Sequence, residues 1–217
     1  MQQISIFGAG GFGKEILDII ESSPEYAQIE ANFIEDAMPP NTRVNNASVI
    51  GGIDYLKQSN NSLVTLAIGN PKLRRKLSQR LESMGVLFAT IIDSSAHIRP
   101  NVKIDNGSVI CARATISTNS LIGNMTIVNI GAIIGHDVNI GAYSVISPGV
   151  IILGGVSIGE GVEVGAGAIV HPQVRIGNWC KIAMGAVVYK DVPDYAIVSG
   201  NPARVMLVQP EDWYLHE

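Results

Sequence analysis

In Gly135-His136-Asp137 a histidine stands directly before an acid, within the chain's central segment. An imidazole titrates near neutrality and can take a proton from an attacking amine or hydroxyl. A carboxylate beside it favours the protonated ring, as any opposite charge does. His136 and Asp137 are therefore the candidate base and its partner. Adjacent side chains on a strand diverge, so their contact calls for a corner of the chain or a neighbouring subunit. No nucleophile stands out. Cys111 and Cys180 lie 69 residues apart without metal-ligand spacing or a neighbouring His, and read as unpaired thiols of a reducing compartment. His97 and His171 have no acid at a telling spacing, and they and His216, which precedes Glu217, read as surface residues.

A second group of residues suits an anion. Gly8-Ala9-Gly10-Gly11-Phe12-Gly13 follows a short apolar run, Gln3 to Phe7, and precedes a segment from Lys14 to Glu21 with helical spacing of Ile16, Leu17, Ile19 and Ile20. A glycine-rich strand-to-helix turn lets the backbone approach a phosphate at a helix N-terminus. Glu35 and Asp36 end the next strand, Glu30 to Ile34, where a dinucleotide fold would hold a ribose. Gly69 and Asn70 end the third, Leu63 to Ile68, and would complete the same crevice. Nucleotide binding, a nicotinamide dinucleotide and a plain tight turn all fit this pattern, though the segment is short for a full dinucleotide fold.

What positions His136 is a repeat. From Ile92 to Val188 every sixth residue is Ile or Val, through seventeen hexads. The fifth position is always small or β-branched, from Ala96 to Val192, and the second is often Gly. Neither a period of two nor one of 3.6 explains this. A triangular coil does, with one hexad per side and the large residue at the centre. Seventeen hexads make about 5.7 coils, roughly 27 Å of prism at the spacing of stacked strands. His136, in the third position of its hexad, points outward.

Residues 1–90 read as a Rossmann-like α/β unit, 91–193 as the solenoid and 194–217 as a tail. In the first, residues 37–48 are polar, contain Pro39-Pro40 and read as a loop. Pro71 opens a helix that runs to about Met84, where Gly85 stops it. Its basic cluster, Lys72 to Arg80, reads as a solvated or phosphate-proximal face. Val86 to Ile92 is a last strand. The net charge of −4 and the absence of a Lys/Arg block exclude a nucleic-acid binder of the usual kind. No run of 18 apolar residues is present, and the first residues carry no basic leader, so a cytoplasmic location is expected. Trp213 and Tyr214 suit a cap on the last coil.

The hexad pattern resembles the hexapeptide-repeat acyltransferases, which implies a left-handed parallel β-helix, a homotrimer and acyl-coenzyme A bound between neighbouring prisms. Gly10-Gly11-Phe12-Gly13, Ile68-Gly69-Asn70 and Gly135-His136-Asp137 together resemble the sialic acid O-acetyltransferase-related subgroup. Its bacterial members include N-acetyltransferases of nucleotide-linked 4-amino-4,6-dideoxy sugars. The resemblance implies His136 and Asp137 as the catalytic pair, some members having Glu at the acid's place. It implies the nucleotide sugar on Gly10, Gly11, Phe12, Gly13, Glu35, Asp36, Gly69 and Asn70, with Phe12 replacing a histidine of some members. It implies acetyl-CoA on Val145, Gly154, Ala166 and Met184, with Arg204, in the tail Ser199 to Arg204, reaching a phosphate. Gly154-Gly155 breaks the hexad habit and would leave a shelf for an extended ligand. No metal is expected. O-acetylation of a sialic acid-like sugar, and a non-catalytic ligand-binding trimer, are the rival readings.

Overall fold

The computed structural model describes residues 2–57 and 63–215. The chain divides into two compact units, Met1–Ser94 and Ser95–Glu217; His216 lies outside the described residues.

The first unit is a six-stranded sheet of order β3-β4-β2-β1-β5-β6. Its strands are β1 (Gln2–Phe7), β2 (Ile29–Ile34), β3 (Arg43–Val44), β4 (Ala47–Gly51), β5 (Leu63–Leu66) and β6 (Leu87–Phe88), with helices α1 (Gly11–Ser22), α2 (Ile53–Leu56) and α3 (Pro71–Glu82). All neighbours pair parallel except β3 and β4. The central strands are covered on both faces, so polar Ser5, Asn32 and Thr65 are buried along with the apolar residues beside them. Ile4, Ile6, Phe33, Ile34, Val64 and Leu66 are each at most 2% exposed, as are Ile16, Leu17 and Ile20 of α1.

Two expectations are corrected here. Residues 37–48 are not all loop: β3 and the start of β4 form an antiparallel ladder there, with Val44 opposite Ala47 and Arg43 opposite Ser48. Asn45, at φ 51, takes the left-handed conformation that so tight a reversal demands, and Asn tolerates it. The reading missed it because only Val44 and Ala47 are buried in that reversal, too few to show a period. The segment Val86–Ile92 is two short strands, β6 and Ile91–Ile92, rather than one. In addition, α1 begins at Gly11, so Gly11 to Gly13 form its first turn.

In the second unit each hexad contributes a two-residue strand, followed by a turn. Strands 18 residues apart pair in parallel, as in Ile133–Ile134 on Ile151–Ile152 on Ile169–Val170 on Val187–Val188. Three such ladders form the faces of a prism. The first-position residues fill its centre: Ile110, Ile116, Ile122, Val128, Ile134, Ile140, Ile146 and Ile152 are 0% exposed. Fifth-position hydroxyls complete the core without leaving orphans. Ser108, Ser120, Thr126 and Ser144 donate to the carbonyls of Gly123, Gly135, Gly141 and Gly159, at 2.9–3.1 Å. The parallel ladder runs on beyond 193, where Ala196–Ser199 pairs with Lys181–Ile182. The chain then turns back as the antiparallel strand Arg204–Val208. Tyr214 stacks on Trp179 at 4.3 Å and nearly parallel, and the Lys181 ammonium sits over the Trp213 ring. Trp179 in turn lies where a side chain on Gly161 would be.

Candidate active site

His136 and Asp137 occupy the turn after Ile133–Ile134, so they stand at a corner of the prism. Asp137 has φ 57, which rotates its carboxylate back toward the preceding ring. His136 Nδ1 and Asp137 Oδ2 are 2.7 Å apart, within one chain. The corner, not a neighbouring subunit, makes the contact. Both side chains stay open to solvent, 66% and 57% exposed, so an incoming reactant can reach the ring. The Asp137 carboxyl is held below its usual range, first by the hydrogen bond to His136 and then by one from Asn119 Nδ2, at 3.2 Å. It is therefore the carboxylate, not the acid, that faces the ring near neutrality. Asn119, which sequence reasoning passed over, sits one coil earlier at the same corner. Its only signal was its 18-residue distance from Asp137.

Gly154 is one coil further on. A Cβ there would meet His136 Nε2 at 2.5 Å and Cε1 at 2.6 Å. The glycine is a seat for the imidazole, and the shelf expected there is taken by the ring itself. With Nδ1 turned to Asp137, Nε2 is the nitrogen left to exchange a proton. The remaining residues implied as donor contacts lie elsewhere on the prism. Ala166 and Met184 stack 18 residues apart at the next corner, where Met184 is 79% exposed, and Val145 stands outward on a strand of the adjoining face. Arg204 is exposed, with Nη1 on the Ala203 carbonyl at 3.2 Å. Together with Lys190, Asp191, Val188, Val192, Val198, Ala203 and Val205 it lines a cleft of about 310 Å³.

Both cysteines are buried. Burial pushes the Cys180 thiol up to about 11, which removes it as a nucleophile near neutrality. His97 and His171 are exposed, and His171 packs beside Tyr189.

The glycine-rich segment of the first unit sorts into two kinds of glycine. Gly8, at φ 105, and Gly13, where a Cβ would strike the Gly8 carbonyl, are needed by the backbone. Gly10 and Gly11 have open space where a side chain would be, as has Gly69. Among the described residues no side chain caps the α1 N-terminus. Its free N–H groups and dipole suit an anion. Because β1 leads by way of α1 to β2 on one side and β5 by way of α3 to β6 on the other, the sheet reverses direction between β1 and β5. A ligand crevice belongs at that switch point. Phe12 is half-buried beside it.

Three of the acceptor residues implied for this crevice are already engaged. Glu35 accepts from the Ala9 and Ala37 N–H groups, both at 3.1 Å. Asp36 Oδ1 accepts from Ile53 N at 2.8 Å, at the head of α2. Asn70 caps α3 by accepting from the Lys72 and Leu73 N–H groups. The basic cluster is not uniformly solvated. Arg74 is 1% exposed, and its Nη1 donates to the carbonyls of Ile68 and Gly69, anchoring the loop after β5. Arg74 shares the buried helical face of Pro71, Ser78 and Leu81, and a face with one large aliphatic residue gives no apolar period to read.

The family models agree with this division. The PglD N-terminal domain matches residues 3–81, and the bacterial transferase hexapeptide and the hexapeptide repeat of succinyl-transferase match 155–190 and 131–172. The acetyltransferase domain of PglB from Neisseria gonorrhoeae, in complex with acetyl coenzyme A, is 31% identical over 94% of this chain and 99% of its own, with a TM-score of 0.89. This chain belongs to the hexapeptide-repeat acyltransferases. It is an acyltransferase whose solenoid is a left-handed parallel β-helix. WeeI from Acinetobacter baumannii is 31% identical over 95% of this chain and all of its own, at a TM-score of 0.88. Perosamine N-acetyltransferase from Caulobacter crescentus is also similar, at 29% identity over 95% of this chain and 98% of its own, with a TM-score of 0.88. It was solved as a histidine-to-asparagine mutant in complex with CoA and GDP-perosamine. No curated protein sequence matched. Among the described residues no helix is long and apolar enough to cross a membrane, and no group of three or more His, Cys, Asp or Glu could hold a metal ion.

Proposed function

We propose that this acyltransferase moves the acetyl group of acetyl-CoA to the amino group of a nucleotide-linked 4-amino-4,6-dideoxy sugar in the cytoplasm. The observation that carries the reading is His136, braced on Asp137 through Nδ1 and seated over Gly154 with Nε2 available. The relatives solved with acetyl-CoA, and with CoA and GDP-perosamine, supply the two substrate classes.

The neutral sugar amine attacks the thioester carbonyl carbon, forming the C–N bond, while its proton passes to His136 Nε2. Asp137 offsets the charge of the imidazolium. The tetrahedral intermediate collapses by breaking the C–S bond, and the departing thiolate takes the proton from His136. The products are the amide and free CoA. With both cysteines buried, transfer is direct, without an acyl-enzyme. The nucleotide's phosphates rest on the free N–H groups of Gly11, Phe12 and Gly13 at the head of α1, beside the open Gly10 and Gly69. Glu35, Asp36 and Asn70 hold the surrounding loops in shape.

The acyl donor extends along the prism from His136. Val188 lies three strands beyond Ile134 on the same face, so Lys190 occupies the corner of His136 about 14 Å further on. Lys190 and Arg204 at that cleft suit the phosphates of coenzyme A. Gly154 stands at this corner, but Ala166 and Met184 stand at the next, about 20 Å away at six residues per side. One donor touches both sets only when two copies lie corner to corner. That arrangement, and the outward apolar ladder of Ile133, Ile151, Ile169 and Val187, favours a homotrimer with interfacial sites.

The test is CoA release from acetyl-CoA with UDP-, dTDP- and GDP-linked 4-amino-4,6-dideoxy sugars, with His136→Ala as control. Release with one of them, abolished in the variant, is the expected result. Release only with a sialic acid-like hydroxyl acceptor would replace N- by O-acetylation. Acetyl-CoA binding without turnover on any acceptor would overturn the catalytic reading.

A further inference from the structure

We infer that Asn119 is a positioning residue for the catalytic pair, fixing the Asp137 carboxylate so that its other oxygen holds the His136 ring. This rests on the proposed role of His136 as base. Each oxygen of Asp137 has its own partner: Oδ2 lies 2.7 Å from His136 Nδ1, and Oδ1 accepts from Asn119 Nδ2 at 3.2 Å. Asp137 is more than half exposed, and a free carboxylate there would turn among its rotamers and leave the ring. The second hydrogen bond removes that freedom.

Asn119 is itself anchored. The Thr118 hydroxyl shares its one proton between the Pro100 carbonyl, at 3.0 Å, and the more distant Asn119 Oδ1, at 3.4 Å, and the Asp137 N–H donates to the Thr118 carbonyl at 3.0 Å. The chain of contacts therefore climbs the corner from Pro100 to the ring. Asn119 and Asp137 share the left-handed conformation, φ 60 and φ 57, which stacks them one above the other. The chemistry at 119 is specific. Asn is among the few residues at ease in that conformation, and its amide supplies the N–H that an ionised acid needs. An Asp there would fit the backbone equally well but would set two carboxylates against each other. From the coil above, the ring meets the Gly154 backbone; from the coil below, Asp137 meets Asn119. Asp137 is the charged group against the ring.

Two variants keep the backbone and change only the side chain. Asn119→Gly is compatible with positive φ and removes the donor. Its kcat is expected to fall about tenfold, less than the loss from a fully misplaced catalytic group, with both KM values within about twofold of wild type. Asn119→Asp adds a charge beside Asp137, and the acid limb of its kcat/KM profile is expected to move upward, since a second negative charge favours the imidazolium. In an Asp137→Asn background Asn119→Gly should cost little more, because Asn119 acts through Asp137. A wild-type kcat in Asn119→Gly, an unmoved limb in Asn119→Asp, or an undiminished effect in the Asp137→Asn background would each overturn the inference. His136→Ala separates the two levels. If it keeps wild-type turnover, the base assignment itself fails. If it is inactive while Asn119→Gly is fully active, only the role of Asn119 fails.

Discussion

The two units of this chain place polar groups by opposite means. In the solenoid a side chain's position follows from register. Residues 18 apart lie over one another, so Asn119, Asp137 and Gly155 share one column, and Thr118, His136 and Gly154 the next. In the α/β unit the polar groups sit where strands end, and each is held by a partner at its own irregular offset: Ala9 by Glu35, Ile53 by Asp36, and the 68–69 loop by Arg74 on the helix just after it. The first arrangement is rigid because a continuous core lies behind it. The second rests on a few hydrogen bonds. Substitutions in the solenoid corner should therefore cost rate at little cost in stability, and those in the α/β unit should do the reverse.

The largest expected effect is that of His136→Ala, a loss of about 10²- to 10⁴-fold in kcat from removing a general base. The side chain is exposed, so the melting temperature should stay within a few degrees; circular dichroism and the CoA-release rate check the two halves together. A large drop in melting temperature would mean that the corner depends on its side chains as much as the α/β unit does.

Next comes Arg74→Leu, which removes charged hydrogen-bond donors from two loop carbonyls in a buried setting. Each such bond is worth about 1.5–3 kcal/mol, and burying carbonyls without partners adds to the loss. Thermal unfolding should show an early transition confined to the first unit, while the far-ultraviolet signal of the solenoid persists. A single unshifted transition would remove Arg74 from the framework of that unit.

Gly154→Ala sharpens the contrast. No positive φ forbids an alanine at Gly154, but the new methyl group falls on the imidazole. The ring must move, and about ten- to hundredfold in kcat should go with it, while stability changes by less than about 1 kcal/mol. Unchanged kcat would show that the ring tolerates a second seat, and hence that the corner positions it less tightly than its contacts imply.

The same contrast governs what the sequence reveals. The hexads predict the prism because each residue's environment is set by neighbours at a constant offset, and a period survives inspection of one sequence. That period turned His136 outward but left its contact with Asp137 to a corner or a neighbouring subunit, and the left-handed conformation of Asp137 decides for the corner. Asn119 did not follow from the period, since a hydrogen bond between side chains 18 apart is visible only once the coil's length is combined with the left-handed conformation of both residues. In the α/β unit, Arg74 read as one of several surface cations, because burial beneath the 68–69 loop is a tertiary fact. Glu35 and Asp36 read as ribose contacts because their place at a strand end fits either task. The β3–β4 ladder escaped because only two of its residues are buried.

Asp36 gives the smallest effect and the finest discrimination between those two tasks. Its Oδ1 accepts from Ile53 N, and a Cβ on Gly52 would fall on that same oxygen, so the carboxylate is packed against the head of a four-residue helix. Its loss in Asp36→Ala should cost about 1 kcal/mol, the usual worth of an N-terminal cap. The KM for the nucleotide sugar should rise no more than about twofold, since an alanine leaves Gly10, Gly11 and Gly69 untouched. Denaturant titration measures the first and steady-state kinetics the second. If instead KM rises more than about tenfold at unchanged stability, Asp36 touches the ribose. The crevice would then resemble the solenoid corner, with its polar side chains spent on ligand and not on the fold.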